Sequence, residues 1–233
     1  MIETVQLFDD GIGKVDYICH MGSDMTVVNS ARVSFGKEVE DISERDEKLI
    51  NYLIKHRHTS TLEHCTVTFR IKVPLYIRSQ HHRHRTWSYN EISRRYTEIN
   101  LEFYEPKAFR TQHKSNRQAS NVDELIDPAV YVLEDGGRMR ASSLVKSHHM
   151  QCLKLYNDMI EAGVCREQAR GLLPQNLYTE YYATTNLNNL FKFIDLRIHE
   201  GAQWEIQQLA KAMLEILEEL YPITVKAWKE NKV

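Results

Sequence analysis

The chain has 233 residues, 42% of them hydrophobic and 27% charged, with a formal net charge of −2. That length suits one large domain or two small ones with a sizeable core. The near-neutral balance argues against a general nucleic-acid binder, because positive charge is local here and not global.

Residues 1–22 alternate Val15, Tyr17 and Cys19 with Asp16 and Ile18, a short-strand pattern punctuated by Gly11, Gly13 and Gly22. Ser23 can cap a helix running to about Arg32. Residues 29–36 then read as a helix-to-loop connection, with Ser34 as the alternative ligand contact. Ser43 and Asp46 form a capping box for a helix over 41–56, whose stripe is Leu49, Ile50, Leu53 and Ile54. Thr59, Ser60 and Thr61 break it. Residues 65–73 alternate strictly, with Cys65, Val67, Phe69, Ile71 and Val73 on one face of a strand. Pro74 ends the strand and opens a helix over 75–84.

Residues 104–141 are polar with few periodic apolar positions. We expect a long surface excursion with a short helix near 123–126. A loop of that length is either disordered or a functional lid, and the sequence leaves both open. Lys107, Arg110, Lys114 and Arg117 read as solvated. A helix follows over 142–163 with Gly163 as C-cap, then a short helix over 166–173 ending at Pro174. Residues 176–185 read as a strand. Asn186 caps a helix through Arg197. The last helix spans 202–220, with Ile206, Leu209, Met213, Ile216, Leu217 and Leu220 as its core stripe, and Pro222 ends it.

Long helices with two well-separated strand segments indicate an α+β fold, a mixed or antiparallel sheet packed with several long helices in a single domain over 1–233. No G-x-G-x-x-G follows a strand, so a Rossmann domain is not supported. The N-terminus lacks a signal-peptide pattern, and no apolar run approaches ~20 residues. None of the cysteines Cys19, Cys65, Cys152 and Cys165 forms a C-x-x-C pair. A cytoplasmic protein with reduced thiols, no membrane span and no nucleic-acid partner is expected.

The chemistry concentrates in residues 80–96, QHHRHRTWSYNEISRRY. Arginine forks match phosphate and carboxylate oxygens. Trp87, Tyr89, Asn90 and Glu91 add stacking surface and hydrogen-bond acceptors. The stretch reads as a pocket for a planar, phosphorylated ligand. His56, His58, His64, His81, His82 and His84 invite a metal, but Arg57, Arg78, Arg83 and Arg85 would repel a divalent cation. The spacing also matches no zinc signature, so no metal is expected. Ser88 and Ser93 lack a nucleophile elbow and suit hydrogen bonding to phosphate or base. Arg170 and Arg197 sit on partly apolar helices, where salt bridging and ligand binding are both open.

Arg83-His84-Arg85-x-x-Ser88-x-Asn90-Glu91-x-Ser93-x-Arg95 resembles the signature of flavin-dependent thymidylate synthases. Arg32-Val33-Ser34-Phe35 is similar to that family's early serine loop, and residues 58–64 to its flavin-contacting segment. Arg166–Arg170, Leu173-Pro174, Asn176-Leu177-Tyr178, Asn186, Leu196-Arg197 and Ala202-Gln203-Trp204-Glu205 extend the likeness. Only about 104–141 is unmatched.

The resemblance implies reductive methylation of dUMP to dTMP, with methylenetetrahydrofolate as carbon donor, FAD as hydride carrier and NADPH as reductant. It also implies a homotetramer with shared active sites. On the same basis Gln80, Arg83, Glu91, Ile92, Ser93, Arg94, Arg95, Arg170 and Arg197 are expected to hold dUMP. Ser34, His58, Ser60, Glu63, Arg83, His84, Arg85, Glu91, Asn186, Asn188 and Lys192 are expected around FAD. Arg197 is the expected catalytic residue: a fixed guanidinium against the ionised N3–O4 edge of uracil favours electron density at C5. Lys192, Gly201 and Asn188 depart from the family's usual asparagine, histidine and arginine, and His199 stands near the missing histidine. Cys19, in Ile18-Cys19-His20, lacks the Pro-Cys-His context of cysteine-dependent synthases and reads as a strand residue. The competing readings are a metal-dependent nucleotide phosphohydrolase and an RNA-binding module.

Overall fold

The computed structural model describes residues 3–131 and 137–232. In chain order the strands are β1 (Thr4–Gln6), β2 (Lys14–Met21), β3 (Thr66–Pro74), β4 (Ser88–Glu91), β5 (Phe109–Gln112), β6 (Ser120–Ile126), β7 (Ala129–Tyr131), β8 (Arg138–Arg140) and β9 (Tyr178–Asn186). The helices are α1 (Asp24–Arg32), α2 (Glu44–Lys55), α3 (Leu75–His81), α4 (Ala141–Glu161), α5 (Arg166–Ala169), α6 (Leu187–Ile198), α7 (Trp204–Leu220) and α8 (Pro222–Glu230). Short 3-10 turns cover Val33–Phe35, Thr59–His64 and Arg170–Leu172.

The alternation in β3 does what its pattern demands: Val67, Phe69, Ile71 and Val73 are all fully buried. β3 is central in a five-stranded sheet of order β1-β2-β3-β9-β4. Every pairing in it is antiparallel, which resolves the mixed-or-antiparallel expectation. The two strand segments expected from sequence, β3 and β9, are direct neighbours in register from Thr66↔Asn186 to Pro74↔Tyr178. Gly22 turns the chain from β2 into α1 at φ 86°, and a Cβ there would meet Cys65 Sγ at 2.7 Å. Glycine satisfies both the left-handed backbone and the close approach.

α7 lays one stripe on the sheet, with Ile206, Leu209, Met213, Ile216 and Leu217 buried. α6 adds Leu187, Leu190, Phe193 and Ile194, and its start is capped by Asn186, whose side chain accepts from Asn189 N at 2.9 Å. The capping box of α2 is present, and Asp46 also pairs with Arg32. Hydrogen bonds from Ser43, with help from Arg32, hold the Asp46 carboxyl down at about 2. A smaller cluster of Tyr156, Ala169, Leu173 and Leu177 ties α4 and α5 to the start of β9. Among the described residues no helix is long and apolar enough to cross a membrane.

Two sequence expectations need correction, for residues 123–126 and Arg110, and two features were not foreseen, α8 and β4. Residues 123–126 are not helical: they belong to β6, paired with β5, because cross-strand partners and not helical periodicity stabilise this polar segment. Pro222 does end α7 but also opens α8, as proline at a first helical turn can. The buried Asp24 carboxylate caps that helix, accepting from Ile223 N at 3.0 Å and Thr224 N at 2.9 Å. Arg110 is not a solvated loop residue but pairs with buried Glu205. β4, inside the 80–96 stretch, was not expected as a strand; its pairing partner lies ~90 residues further on, beyond reach of local pattern.

Candidate active site

α3 delivers the chain to the signature stretch and β4 carries it away along β9. His81, at the end of α3, is fully buried, with Nδ1 2.8 Å from the Tyr181 hydroxyl. Its ring meets Trp87 and Tyr89 edge-on. Burial holds its imidazole well below the ordinary value, so it stays neutral. The Tyr89 hydroxyl bridges the His81 and His84 carbonyls at 3.1 and 3.0 Å. The turn's backbone is thus pinned, while Arg83 and Arg85 remain exposed with no side-chain hydrogen bond or ion pair to a described residue. Among the described residues no three His, Cys, Asp or Glu side chains group to hold a metal.

The expected dUMP residues fall into two groups. Glu91, Ile92, Ser93, Arg94 and Arg170 line a cavity of about 310 Å³ together with Arg78 and Thr179. Glu91 Oε1 accepts from Thr179 Oγ1 at 2.6 Å and pairs with Arg78 Nε at 3.1 Å. Arg78 entered the sequence reading only as a crowding cation. Its position within α3, on a different element from Glu91 on β4, gives no local sign of the pairing. The Arg94 guanidinium is taken up by the carbonyls of Ile99, Asn100 and Tyr178. Arg170 is exposed, not on a core-side face, and makes no ion pair to a described residue. Arg95 stacks 5.8 Å from the Tyr96 ring centroid.

The second group is Gln80, Arg83 and Arg197, beside His84, which is expected at the flavin. Arg197 Nε donates to His84 Nε2 at 3.1 Å, and its Nη2 reaches the Gln80 carbonyl at 3.5 Å. Burial, then the neighbouring Arg197, brings His84 down to about 4. Burial and Arg83 also lower the Arg197 pKa. No carboxylate among the described residues pairs with Arg197. A half-buried guanidinium left with neutral partners is a charge built for an anion.

The expected flavin residues are more spread. Asn188 Nδ2 donates to Glu63 Oε1 at 2.8 Å, joining the start of α6 to the Thr59–His64 turn. Asn186 caps α6 beside them. His58 and Ser60 are exposed on that turn, and Lys192 is exposed on α6. Ser34 sits in the Val33–Phe35 turn between exposed Val33 (70%) and Phe35 (80%). No hydrogen bond joins Ser34, Arg85 or Lys192 to the Glu63–Asn188 pair. Cations without carboxylate partners together with hydroxyl and imidazole donors have the chemistry to hold a diphosphate, so these residues fit a flavin dinucleotide. As site residues, Arg78 and Thr179 were missed by sequence reasoning; only long-range contact reveals their pairing with Glu91.

A family model described as thymidylate synthase complementing protein matches residues 16–223. The chain belongs to the flavin-dependent thymidylate synthase family. The flavin-dependent thymidylate synthase of Thermus thermophilus is 42% identical over 228 residues, covering 98% of this chain and 79% of the relative. That of Wolbachia pipientis is 38% identical, covering 99% and 78%. A crystal structure of a UMP/dUMP methylase, PolB from Streptomyces cacaoi bound with 5-Br dUMP, superposes with a TM-score of 0.79 at 29% identity and covers 97% of both chains. The chain's α+β architecture and its methyltransferase class are those of this family.

Proposed function

We propose that the chain acts as one catalytic domain converting dUMP to dTMP by reductive methylation, with methylenetetrahydrofolate as carbon donor and NADPH as reductant. The observation that carries this reading is Arg197, a half-buried guanidinium with neutral partners. Set against the pyrimidine, it stabilises negative charge on the N3–O4 edge and so raises electron density at C5. The Cys19 thiol is exposed on β2, and this activation requires no thiolate.

Glu91, oriented by Thr179 and Arg78, accepts hydrogen bonds from the sugar or base. Arg83, Arg95 and Arg170 neutralise the phosphate. Ser93 adds a hydroxyl, and Ile92 and Arg94 shape the wall. FAD, held by Ser34, His58, Ser60, Glu63, His84, Arg85, Asn186, Asn188 and Lys192, supplies hydride chemistry when bound. The spread of these residues in one chain, and the exposed Val33 and Phe35, support a homotetramer in which a second copy completes each site. All four cysteines are free thiols, which supports a reducing, cytoplasmic setting.

Purified protein tests the reading directly. It predicts a yellow protein whose flavin absorbance bleaches with NADPH and which forms dTMP from dUMP and methylenetetrahydrofolate. A colourless protein that takes up no added FAD overturns it.

A further inference from the structure

A file of polar side chains runs from the β5–β6 pair to Gln80. Arg110 on β5 donates from Nη2 to Glu205 Oε1 at 2.6 Å and from Nε to Ser120 Oγ at 2.9 Å. Its guanidinium also lies 5.0 Å from the Trp204 ring centroid. Glu205 is buried at the start of α7, and its Oε2 accepts from Gln203 Nε2 at 3.0 Å. Gln203 Oε1 in turn accepts from Gln80 Nε2. Separately, the Gln80 backbone carbonyl accepts from Arg197 at 3.5 Å.

The direction of this file is dictated by its charged end. A carboxylate accepts and does not donate. Glu205, engaged by Arg110, therefore faces the NH2 end of Gln203. That turns the Gln203 carbonyl toward Gln80, which must answer with its own NH2. A glutamine amide by itself is nearly symmetric in shape and can turn over with oxygen and nitrogen exchanged. Here a flip of either amide would set carbonyl against carbonyl or carboxylate. Arg110 sits on β5 in the polar excursion of residues 104–141, which lies inside the family match over residues 16–223.

We infer that Arg110, Glu205 and Gln203 are positioning residues that fix the polarity of the Gln80 amide toward dUMP. This rests on the proposed function and on the expectation, implied by the family resemblance, that Gln80 contacts dUMP. The excursion thereby braces the substrate site, and its removal loosens substrate recognition before it affects turnover.

The test uses flavin-loaded protein and dUMP itself. Gln203→Leu removes both amide ends at near-constant volume, and Arg110→Ala cuts the far end of the file. Each is expected to weaken dUMP binding by calorimetry about tenfold, the scale of one oriented hydrogen bond. KM for dUMP should rise in parallel, with kcat held within about twofold. Arg110→Lys, which keeps the charge, should recover part of the affinity. A merely structural Arg110 would lower the melting temperature and leave Kd and KM unchanged, and that result overturns the inference. If circular dichroism shows Arg110→Ala unfolded, Gln203→Leu decides. Wild-type protein that binds no dUMP overturns the functional reading and this inference with it. Normal wild-type binding with unchanged affinity in Gln203→Leu overturns the positioning file alone.

Discussion

Arg197 Nε donates to His84 Nε2 across 3.1 Å. Arginine offers only donors, so His84 must present a lone pair at Nε2 and carry its proton on Nδ1. The imidazole is therefore neutral, in keeping with a value brought down to about 4 by burial and by Arg197 itself. His84 orients the guanidinium without cancelling its charge. The fixed cation is left for whatever anion the site receives, and the arrangement joins residues 113 positions apart in the chain.

Arg197→Ala should abolish most dTMP formation, lowering kcat about 10²–10³-fold, the scale of losing one preorganised charge-stabilising donor. FAD should remain bound, read from the flavin absorbance after gel filtration. Arg197→Lys keeps a charge but loses the planar fork and should recover only part of the rate. Near-normal turnover in Arg197→Ala would refute its role.

The pH dependence of stability follows from the histidines. His84 titrates at about 4 in the folded chain against 6.5 for a free histidine. As pH falls below 6.5 the unfolded chain takes up the proton first, so stability is full above 6.5 and is lost as pH falls toward 4. His81 and His82 are shifted the same way by burial. His84→Gln keeps an acceptor for Arg197 and removes one of these groups. Its melting temperature should vary less than wild type between pH 6.5 and 4; parallel curves would show that His84 is not depressed.

Cys19→Ser should leave dTMP formation within about twofold of wild type, the usual consequence of an exposed substitution. Loss of synthesis with normal folding would mean that a thiolate nucleophile has been overlooked.

Asp24 joins the first helix to the last. Its carboxylate accepts from Ile223 N, Thr224 N and Thr224 Oγ1, and it is buried. Asp24→Ala should cost about 2–3 kcal/mol in urea unfolding, since a buried cap is lost and two N–H groups are orphaned. A change under about 0.5 kcal/mol would show that water replaces the carboxylate.

The sequence by itself determined the elements whose signal is local. Ser43 and Asp46 marked the start of α2, the strict alternation of 65–73 marked β3, and Asn186 marked the start of α6. The irregular signature from Arg83 to Arg95 was enough to point to a family, because long polar patterns with few substitutable positions carry information without a fold. What only the tertiary structure decided was which distant groups meet. Glu91 meets Thr179 and Arg78 because β4 pairs with β9. Asp24 meets α8, and Arg110 meets Glu205, across 95 residues or more. The Arg94 guanidinium is spent on three carbonyls, which no local pattern announces. The physical reason is the same in each case. Caps and periodicity act within a turn or a strand, whereas a buried charge finds its partner wherever packing brings one, and packing is a property of the whole chain.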